Sequence, residues 1–391
     1  MQENGSSVEQ RIRIWLTGRI AAIMDVDAAT VDTETSFATY GLTSADVVGL
    51  SGELEEMLGR KLPETLLYEH PSIGRLACAL AAPQAAPEAL PEALDETPDH
   101  RDDPLCVAGL ACRFPGGANT PEQFWQNLID GVDASAEVPA QRWDAHSFYD
   151  PDPYAPGTAY TTRGAFVDDI AGFDAKFFGI SPREALRLDP QQRMLLEVAW
   201  SALEDAGIPA DRIRGSRTGV FVGMMATSQY ANVLTDRGGP AMLDDPYVGL
   251  GTSPSVLAGR VSYLLDLRGP SLVLDTACSS SLVALHLAMA SVRNGECDRA
   301  IVAGVSAIVH PDMFRQACKM RMLAVDGRCK TFDAAADGFL IGEGCGAVVI
   351  ERLSTARLHH HRVQAILRGS AVNQDGMSNG LTAPNGAAQV D

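Results

Sequence analysis

Several features that would place this chain in a special class are scarce or missing. Its eight cysteines are scattered from Cys78 to Cys345 and form no CxxC pair. In a chain of 391 residues this distribution indicates reduced thiols and a cytoplasmic protein, and it excludes a disulfide or zinc framework. The N-terminus lacks the basic segment and the apolar core of a secretory signal. The longest strongly apolar run, residues 282–292, contains His286 and is too short to span a bilayer.

Basic residues are also in the minority. The chain has 31 Lys and Arg against 50 Asp and Glu, which gives a formal net charge of −19. Nucleic acid is therefore not expected as a partner, because phosphate binding requires a basic surface. Residues 1–100 hold 6 basic and 17 acidic side chains, a net charge of −11, and the other 291 residues carry −8. This distribution indicates an acidic module joined to a larger module that is closer to neutral.

A proline-rich stretch separates the two modules. Residues 83–102 contain four prolines and no aromatic residue, a composition typical of a semi-extended linker. Before it, apolar residues recur at helical spacing through residues 8–24 and 44–58, and Pro71 opens a last short helix. The pattern predicts a small all-α bundle of four helices over residues 7–82.

The second module, residues 103–391, alternates apolar β-rich runs with helical segments. The helices include residues 191–206 and 281–293. Strands are predicted at residues 105–111, 218–223, 271–274, 300–307, 347–350 and 363–369. Because helices separate the strands, we expect a multidomain chain whose second part is an α/β domain, with a parallel or mixed sheet covered on both faces.

The first candidate site is Ser44, within Gly-Leu-Thr-Ser-Ala-Asp at residues 41–46. Taken alone, a serine at the start of a helix is most simply an N-cap. The acidic module and its linker, with the later motif at residues 67–73, resemble an acyl carrier protein. That resemblance implies that Ser44 carries a covalent 4'-phosphopantetheine arm, and a helix N-terminus suits such an anionic phosphodiester. Thr43 and Ala45 depart from the Asp and Leu that are usual in the family.

The second candidate is Cys278, within Asp-Thr-Ala-Cys-Ser-Ser-Ser at residues 275–281. It lies between a predicted strand and a predicted helix. The helix dipole and the free N–H groups at the helix start favour a thiolate, and a strand-to-helix turn exposes a nucleophile. A buried structural cysteine is the alternative that the local pattern leaves open.

Further motifs around Cys278 resemble modular polyketide β-ketoacyl synthases, of which Asp-Thr-Ala-Cys-Ser-Ser-Ser is the active-site signature. The resemblance implies a thiolase-like fold of two similar α/β halves. Residues 103–391 would supply the first half and the opening strand of the second, which leaves the second half incomplete. The motifs are Leu-Ala-Cys-Arg-Phe-Pro-Gly-Gly at residues 110–117, Phe-Phe-Gly-Ile-Ser-Pro-Arg-Glu at 177–184, Leu-Asp-Pro-Gln-Gln-Arg at 188–193, Asp-Gly-Arg-Cys-Lys-Thr-Phe-Asp at 326–333, Val-Asn-Gln-Asp-Gly at 372–376 and Asn-Gly-Leu-Thr-Ala-Pro-Asn-Gly at 379–386.

The resemblance also implies a reaction and its partners. Cys278 would take an acyl group as a thioester, and the carbanion from decarboxylation of a malonyl-type extender would attack it in a Claisen condensation. The backbone N–H of Cys278 is the expected first oxyanion donor. The implied partners are a phosphopantetheinyl transferase, an acyl-loading enzyme, a malonyl-loaded carrier protein and a second copy of the chain in a homodimer. Two alternatives remain: a fragment that carries and accepts acyl groups without condensing them, and a papain-type Cys–His hydrolase.

The histidines do not match the family motifs that assist decarboxylation. Those motifs lie well over a hundred residues beyond the cysteine, and Asp391 is 113 residues beyond Cys278. His286 is predicted to pack in the core, and residues 359–361, three histidines, to lie in an exposed loop rather than bind a metal. Ile341 stands where the family usually has Arg, in a glycine-rich segment that we expect to form a tight buried turn rather than a phosphate loop.

Overall fold

The computed structural model describes residues 5–37, 39–42, 44–62, 66–81, 103–225, 229–380 and 383–390. The chain divides into two compact units, one of residues 1–97 and 174–187 and the other of residues 98–173 and 188–391. The predicted linker, residues 83–102, lies outside the described residues. In the described part of the chain, no helix is both long enough and apolar enough to cross a membrane.

Within the described residues, the N-terminal part of the first unit is a bundle of four helices, as predicted. Its core contains Ile12, Leu16, Leu50, Leu54 and Leu76, all of them buried. Leu50 and Leu54 lie one turn apart on the second helix, which therefore presents a continuous apolar face to its neighbours. The helices are α1 (Gly5–Met24), α2 (Ser44–Leu58), α3 (Leu66–Glu69) and α4 (Ile73–Ala81), with one 3-10 turn at Ala28–Thr30.

A six-stranded mixed sheet forms the centre of the second unit. Its order is β5-β4-β6-β7-β1-β8, in which β4 pairs in parallel with β5 and β6 and the other neighbours are antiparallel. All six predicted strands are present in it. The strands are β1 (Leu105–Arg113), β2 (Ala136–Glu137), β3 (Arg163–Gly164), β4 (Thr218–Gly223), β5 (Ser271–Leu274), β6 (Arg299–Ser306), β7 (Gly344–Arg352) and β8 (Ala365–Leu367), of which β2 and β3 form a separate pair.

Ten further helices lie along the described part of the chain. They are α5 (Pro121–Asp130), α6 (Pro182–Ala185), α7 (Pro190–Asp205), α8 (Ala210–Ile213), α9 (Tyr230–Gly238), α10 (Pro246–Thr252), α11 (Pro254–Leu265), α12 (Ser280–Arg293), α13 (Asp312–Lys319) and α14 (Leu353–Leu358). Three further 3-10 segments lie at Ala145–Phe148, Pro240–Asp244 and Ala277–Ser279.

Helices cover both faces of the sheet, as predicted. A Cβ placed on Gly109 of β1 would lie 2.3 Å from the carbonyl oxygen of Ala202 in α7. A Cβ placed on Gly304 of β6 would lie 2.8 Å from the Cβ of Ser281 in α12. Gly304 is in register, through β7, with Cys112 of β1. Because Cys112 is three positions from Gly109, the two glycines point to opposite faces, so α7 and α12 lie on opposite sides of the sheet.

Candidate functional site

Three glycines lie side by side near the end of the sheet at which β4 and β6 terminate. Gly223 at the end of β4 pairs with Gly304 of β6, which pairs in turn with Gly346 of β7. Directly paired residues share a face, so three neighbouring strands lack a side chain there. A Cβ on Gly223 would lie 2.4 Å from the backbone nitrogen of Ser281. The first turn of α12 therefore rests on the backbone of the sheet, an approach that glycine allows. We call residues 223, 304 and 346 the glycine row.

The turn between β5 and α12 is held by its own polar side chains. The Asp275 carboxylate accepts a hydrogen bond from the Ala277 N–H at 2.9 Å. The Ser280 hydroxyl accepts from the Thr276 N–H at 2.9 Å and donates to the Ala277 carbonyl at 2.6 Å. The Ser279 hydroxyl donates to the Thr276 carbonyl at 2.8 Å. Short polar side chains thus satisfy backbone groups within the turn, which explains why this sequence makes so abrupt a connection.

Cys278 lies in the middle of this turn and is exposed. The preceding residue, Ala277, has a φ of +55°, a conformation that costs a non-glycine residue about 1–3 kcal/mol and is commonest at functional sites. α12 begins two residues later, at Ser280. The alternative of a buried structural cysteine is therefore wrong.

A cavity of about 430 Å³ opens beside Cys278. It lies at the carboxyl ends of the parallel strands β4, β5 and β6. Open α/β sheets bind their ligands at the carboxyl ends of their strands. The glycine row supplies part of its lining. Its lining includes Phe114, Met224, Met225, Val305 and Glu343, of which the Glu343 side chain is fully buried. The cavity is therefore mostly apolar, with Cys278 in its lining.

Glu343 is a residue that the sequence analysis did not single out. Its side chain is fully buried, and one carboxylate oxygen accepts from the Arg142 guanidinium at 2.8 Å and from the Val167 N–H at 2.9 Å. The other oxygen accepts from the Ile308 N–H at 2.7 Å. Burial raises the pKa of Glu343, while Arg142 and the two backbone N–H groups act in the opposite direction. Since these donors come from three separate segments, Glu343 joins the loop after β6 to the rest of the cavity wall.

Ser44 is the first residue of α2, as the sequence predicts. The turn before it contains Gly41, with a φ of +76°, and the buried Leu42. Thr43 and the side chains of Ser44 and Ala45 lie outside the described residues. A helix of 15 residues presents N–H groups without intrahelical partners at its start, and those groups suit a phosphodiester. This position therefore fits a covalent 4'-phosphopantetheine group.

Two family descriptions match the chain. "Beta-ketoacyl synthase, N-terminal domain" matches residues 102–356, and "Phosphopantetheine attachment site" matches residues 15–80. The chain belongs to the β-ketoacyl synthase family. Its helical domain is a phosphopantetheine attachment domain, whose cofactor is covalently attached 4'-phosphopantetheine.

Relatives of this ketosynthase chain are modular type I polyketide synthases. It is 48% identical over 363 residues to erythronolide synthase EryA2 of Saccharopolyspora erythraea, a match that covers 93% of this chain and 10% of that protein. It is 44% identical over 388 residues to pikromycin polyketide synthase component PikAII of Streptomyces venezuelae, a match that covers 98% of this chain and 10% of that protein. The chain thus spans about a tenth of the length of these two relatives.

A solved structure shares the fold of the ketosynthase domain. The oxazolomycin ketosynthase domain OzmH KS7 from Streptomyces albus JA3453 is 43% identical, with a TM-score of 0.68. The similarity covers 74% of this chain and 49% of that chain. The α/β domain therefore has the thiolase-like ketosynthase fold, of which the chain spans about half.

No histidine lines the cavity in the described part of the chain. His286 is half-buried and its Nδ1 lies 2.9 Å from the Ser370 hydroxyl, so the prediction of a packed core residue is wrong. Of residues 359–361, the first two are exposed, as predicted. For His361 that prediction is wrong, because its Nδ1 is held 2.6 Å from the buried carboxylate of Glu351. No group of three metal-ligating side chains occurs among the described residues.

The expectation of a tight buried turn before β7 is wrong, because the segment forms isolated bridges at Phe339 and Gly342, both exposed. Its glycines allow close packing instead. A Cβ on Gly338, whose φ is +152°, would lie 2.4 Å from the backbone nitrogen of Ala324. Ile341 is buried in an apolar cluster with Phe166 and Phe314. The segment leads into β7 and brings Glu343 to the cavity.

Proposed function

We propose that this chain is a carrier–ketosynthase segment of a polyketide synthase. In this proposal an acyl group carried on Ser44 or on another carrier passes to Cys278, and decarboxylative Claisen condensation with a malonyl-type extender lengthens it. The proposed domains are residues 7–82 for the carrier, 83–102 for the linker and 103–391 for the ketosynthase. The proposal rests on one observation above all: an exposed cysteine at the start of a helix that lies against the glycine row.

The proposed acyl transfer is chemically simple. The Cys278 sulfur attacks the carbonyl carbon of the thioester and forms a new carbon–sulfur bond. The bond between that carbon and the carrier sulfur breaks, and the carrier leaves as a thiol with the proton that Cys278 gave up. Negative charge develops on the carbonyl oxygen during the attack. In this proposal the backbone N–H of Cys278 donates to that oxygen as the first oxyanion donor. The pantetheine arm, when attached, supplies the thiol that carries the acyl group.

A second function is favoured by the composition of the cavity. No histidine lines it within the described residues. Decarboxylation of an extender needs electrophilic help at the extender carbonyl, which a histidine would supply. The same observation speaks against a papain-type Cys–His pair. This chain would then carry and accept acyl groups without condensing them. Malonyl-loaded carrier protein, added to the acylated chain, distinguishes the two: a β-ketoacyl product supports condensation, and an unchanged acyl-Cys278 supports the second function.

The assignment of Ser44 is tested by transfer of the arm. With a phosphopantetheinyl transferase and coenzyme A, the wild-type chain should gain one phosphopantetheine group, measured by intact mass. Ser44→Ala should gain none, because the acceptor hydroxyl is gone. Ser51→Ala, a matched serine further along α2, should be modified like the wild type. Modification of Ser44→Ala, or none in the wild type, would contradict the assignment.

The assignment of Cys278 is tested by acylation. A short acyl thioester of N-acetylcysteamine should add one acyl group to the wild-type chain, located by peptide mapping. Cys278→Ala should lose this group, because the accepting sulfur is absent. Cys329→Ala, which removes another exposed thiol, should keep it. An acyl group retained in the Cys278→Ala protein rules out Cys278 as the acceptor.

The proposed partners follow from the same chemistry. The acidic helical module offers exposed carboxylates such as Glu56 to a basic phosphopantetheinyl transferase or acyl-loading enzyme. A malonyl-loaded carrier protein would deliver the extender. All eight cysteines are free thiols, which supports the proposed cytoplasmic location.

We also propose a homodimer formed through the edge of the sheet at β5. Within the described residues, β5 pairs only with β4. Leu272 of β5 is exposed, as are Tyr263 of α11 and Leu282 of α12, two helices that pack beside this strand. An open strand edge surrounded by exposed apolar side chains is typical of a surface that pairs with another chain.

Sedimentation equilibrium tests the homodimer. The wild-type chain should sediment as a dimer, and Leu272→Lys as a monomer, because a lysine on an edge strand opposes pairing. Leu128→Lys, at an exposed leucine of α5, should remain dimeric. A monomeric wild type, or a dimer that survives Leu272→Lys, would disprove this interface.

A further inference from the structure

The sequence Phe-Pro-Gly-Gly at residues 114–117 has no part in the chemistry proposed above. Gly116 and Gly117 have φ values of +80° and +72°, which glycine adopts readily. The Phe114 N–H donates to the Ala118 carbonyl at 2.8 Å, which closes the turn. The chain therefore reverses directly after β1. This reversal keeps Phe114 at the end of the sheet where the cavity opens.

The Phe114 ring lies on the glycines of β7. A Cβ on Gly344 would lie 2.6 Å from the ring Cδ1, and a Cβ on Gly346 would lie 3.2 Å from Cζ. From α5, Phe124 packs against the ring with 4.9 Å between centroids and 59° between planes. The ring is thus supported by the sheet and by a neighbouring aromatic ring, so its position is fixed on two sides.

At the glycine row, the first turn of α12 and the Phe114 ring pack over two adjacent strands, β6 and β7. Ser281 lies over Gly304, Phe114 lies over Gly346, and the two glycines are direct partners in the sheet. Paired strands are about 4.8 Å apart. Cys278 and Phe114 line the same cavity. An acyl group on the Cys278 sulfur would therefore enter a space that the Phe114 ring closes.

We propose that Phe114 is a specificity-determining residue that limits the bulk of the acyl group on Cys278. The proposal rests on the function proposed above for Cys278. A compact acyl group fits between the cysteine and the ring, whereas a bulky one meets a ring that cannot move toward the sheet. Replacing the ring by a smaller side chain would admit larger groups.

The size limit can be measured without any thioester chemistry. Alkyl methanethiosulfonates react with a thiolate to give a mixed disulfide, and methanesulfinate leaves with the electron pair of the broken S–S bond. Cys78→Ser and Cys329→Ser remove the other exposed thiols, so that Cys278 is the accessible cysteine that remains. The rates for a methyl and an octyl reagent are then compared in this background. Their ratio reports the room beside Cys278.

Phe114→Ala should raise the octyl-to-methyl rate ratio about tenfold, the usual scale of steric discrimination in an apolar pocket. Phe114→Leu, which keeps an apolar side chain over the glycines, should give a smaller rise. Phe332→Ala removes a fully exposed phenylalanine and should leave the ratio unchanged. Circular dichroism verifies that each variant is folded.

A ratio unchanged in both Phe114 variants would overturn the proposal, and so would a Cys278 that fails to react with the methyl reagent. Failure of the acyl thioester to label Cys278 would instead overturn the proposed function. The two failures are therefore distinguishable.

Discussion

The start of α12 lies against the sheet at glycines, with no side chain of the sheet between them, and the geometry of the site depends on this contact. At Gly223 the separation from Ser281 leaves no room for a Cβ. The contact fixes where the helix begins and hence where the turn that carries Cys278 must stand. The glycine row also lines the space beside Cys278, where a cavity forms instead of a packed interface. The proposed nucleophile and the space for its acyl group thus have one structural cause.

Around this contact, the cavity wall is assembled from segments that are far apart in the sequence. Glu343 binds Arg142, Val167 and Ile308 through a single buried carboxylate. Phe114 arrives from the end of β1 and rests on β7. Each segment of this wall is held by another, which is the support that the proposed selection of acyl groups by size requires.

Much of the fold could be predicted from the sequence, because its signals are local. Apolar periodicity predicted the helical bundle, and alternating strands and helices predicted a parallel or mixed sheet with helices on both faces. The motif around Cys278 indicated a strand, a turn and a helix, and the structure has β5, a 3-10 turn and α12 there. The position of Ser44 at the head of α2 was likewise readable from one helix and its preceding turn.

Other features of the site depend on strand register, which a single sequence does not reveal. The glycine row exists only because β4, β6 and β7 align Gly223, Gly304 and Gly346. The same limit applies to His361, whose partner Glu351 lies at the end of the preceding strand. In both cases the spacing along the chain is ordinary, and only the three-dimensional fold brings the residues together.

The most direct test of this account is the rate at which an acyl thioester acylates Cys278 when Gly223 becomes alanine. The added Cβ must displace the first turn of α12, so Gly223→Ala should slow acylation of Cys278 about tenfold or more in a protein that remains folded. Alkylation of Cys329 in the same molecule, measured by peptide mapping, should keep its wild-type rate. An unchanged rate of acylation at Cys278 would contradict the claim that this contact positions the nucleophile.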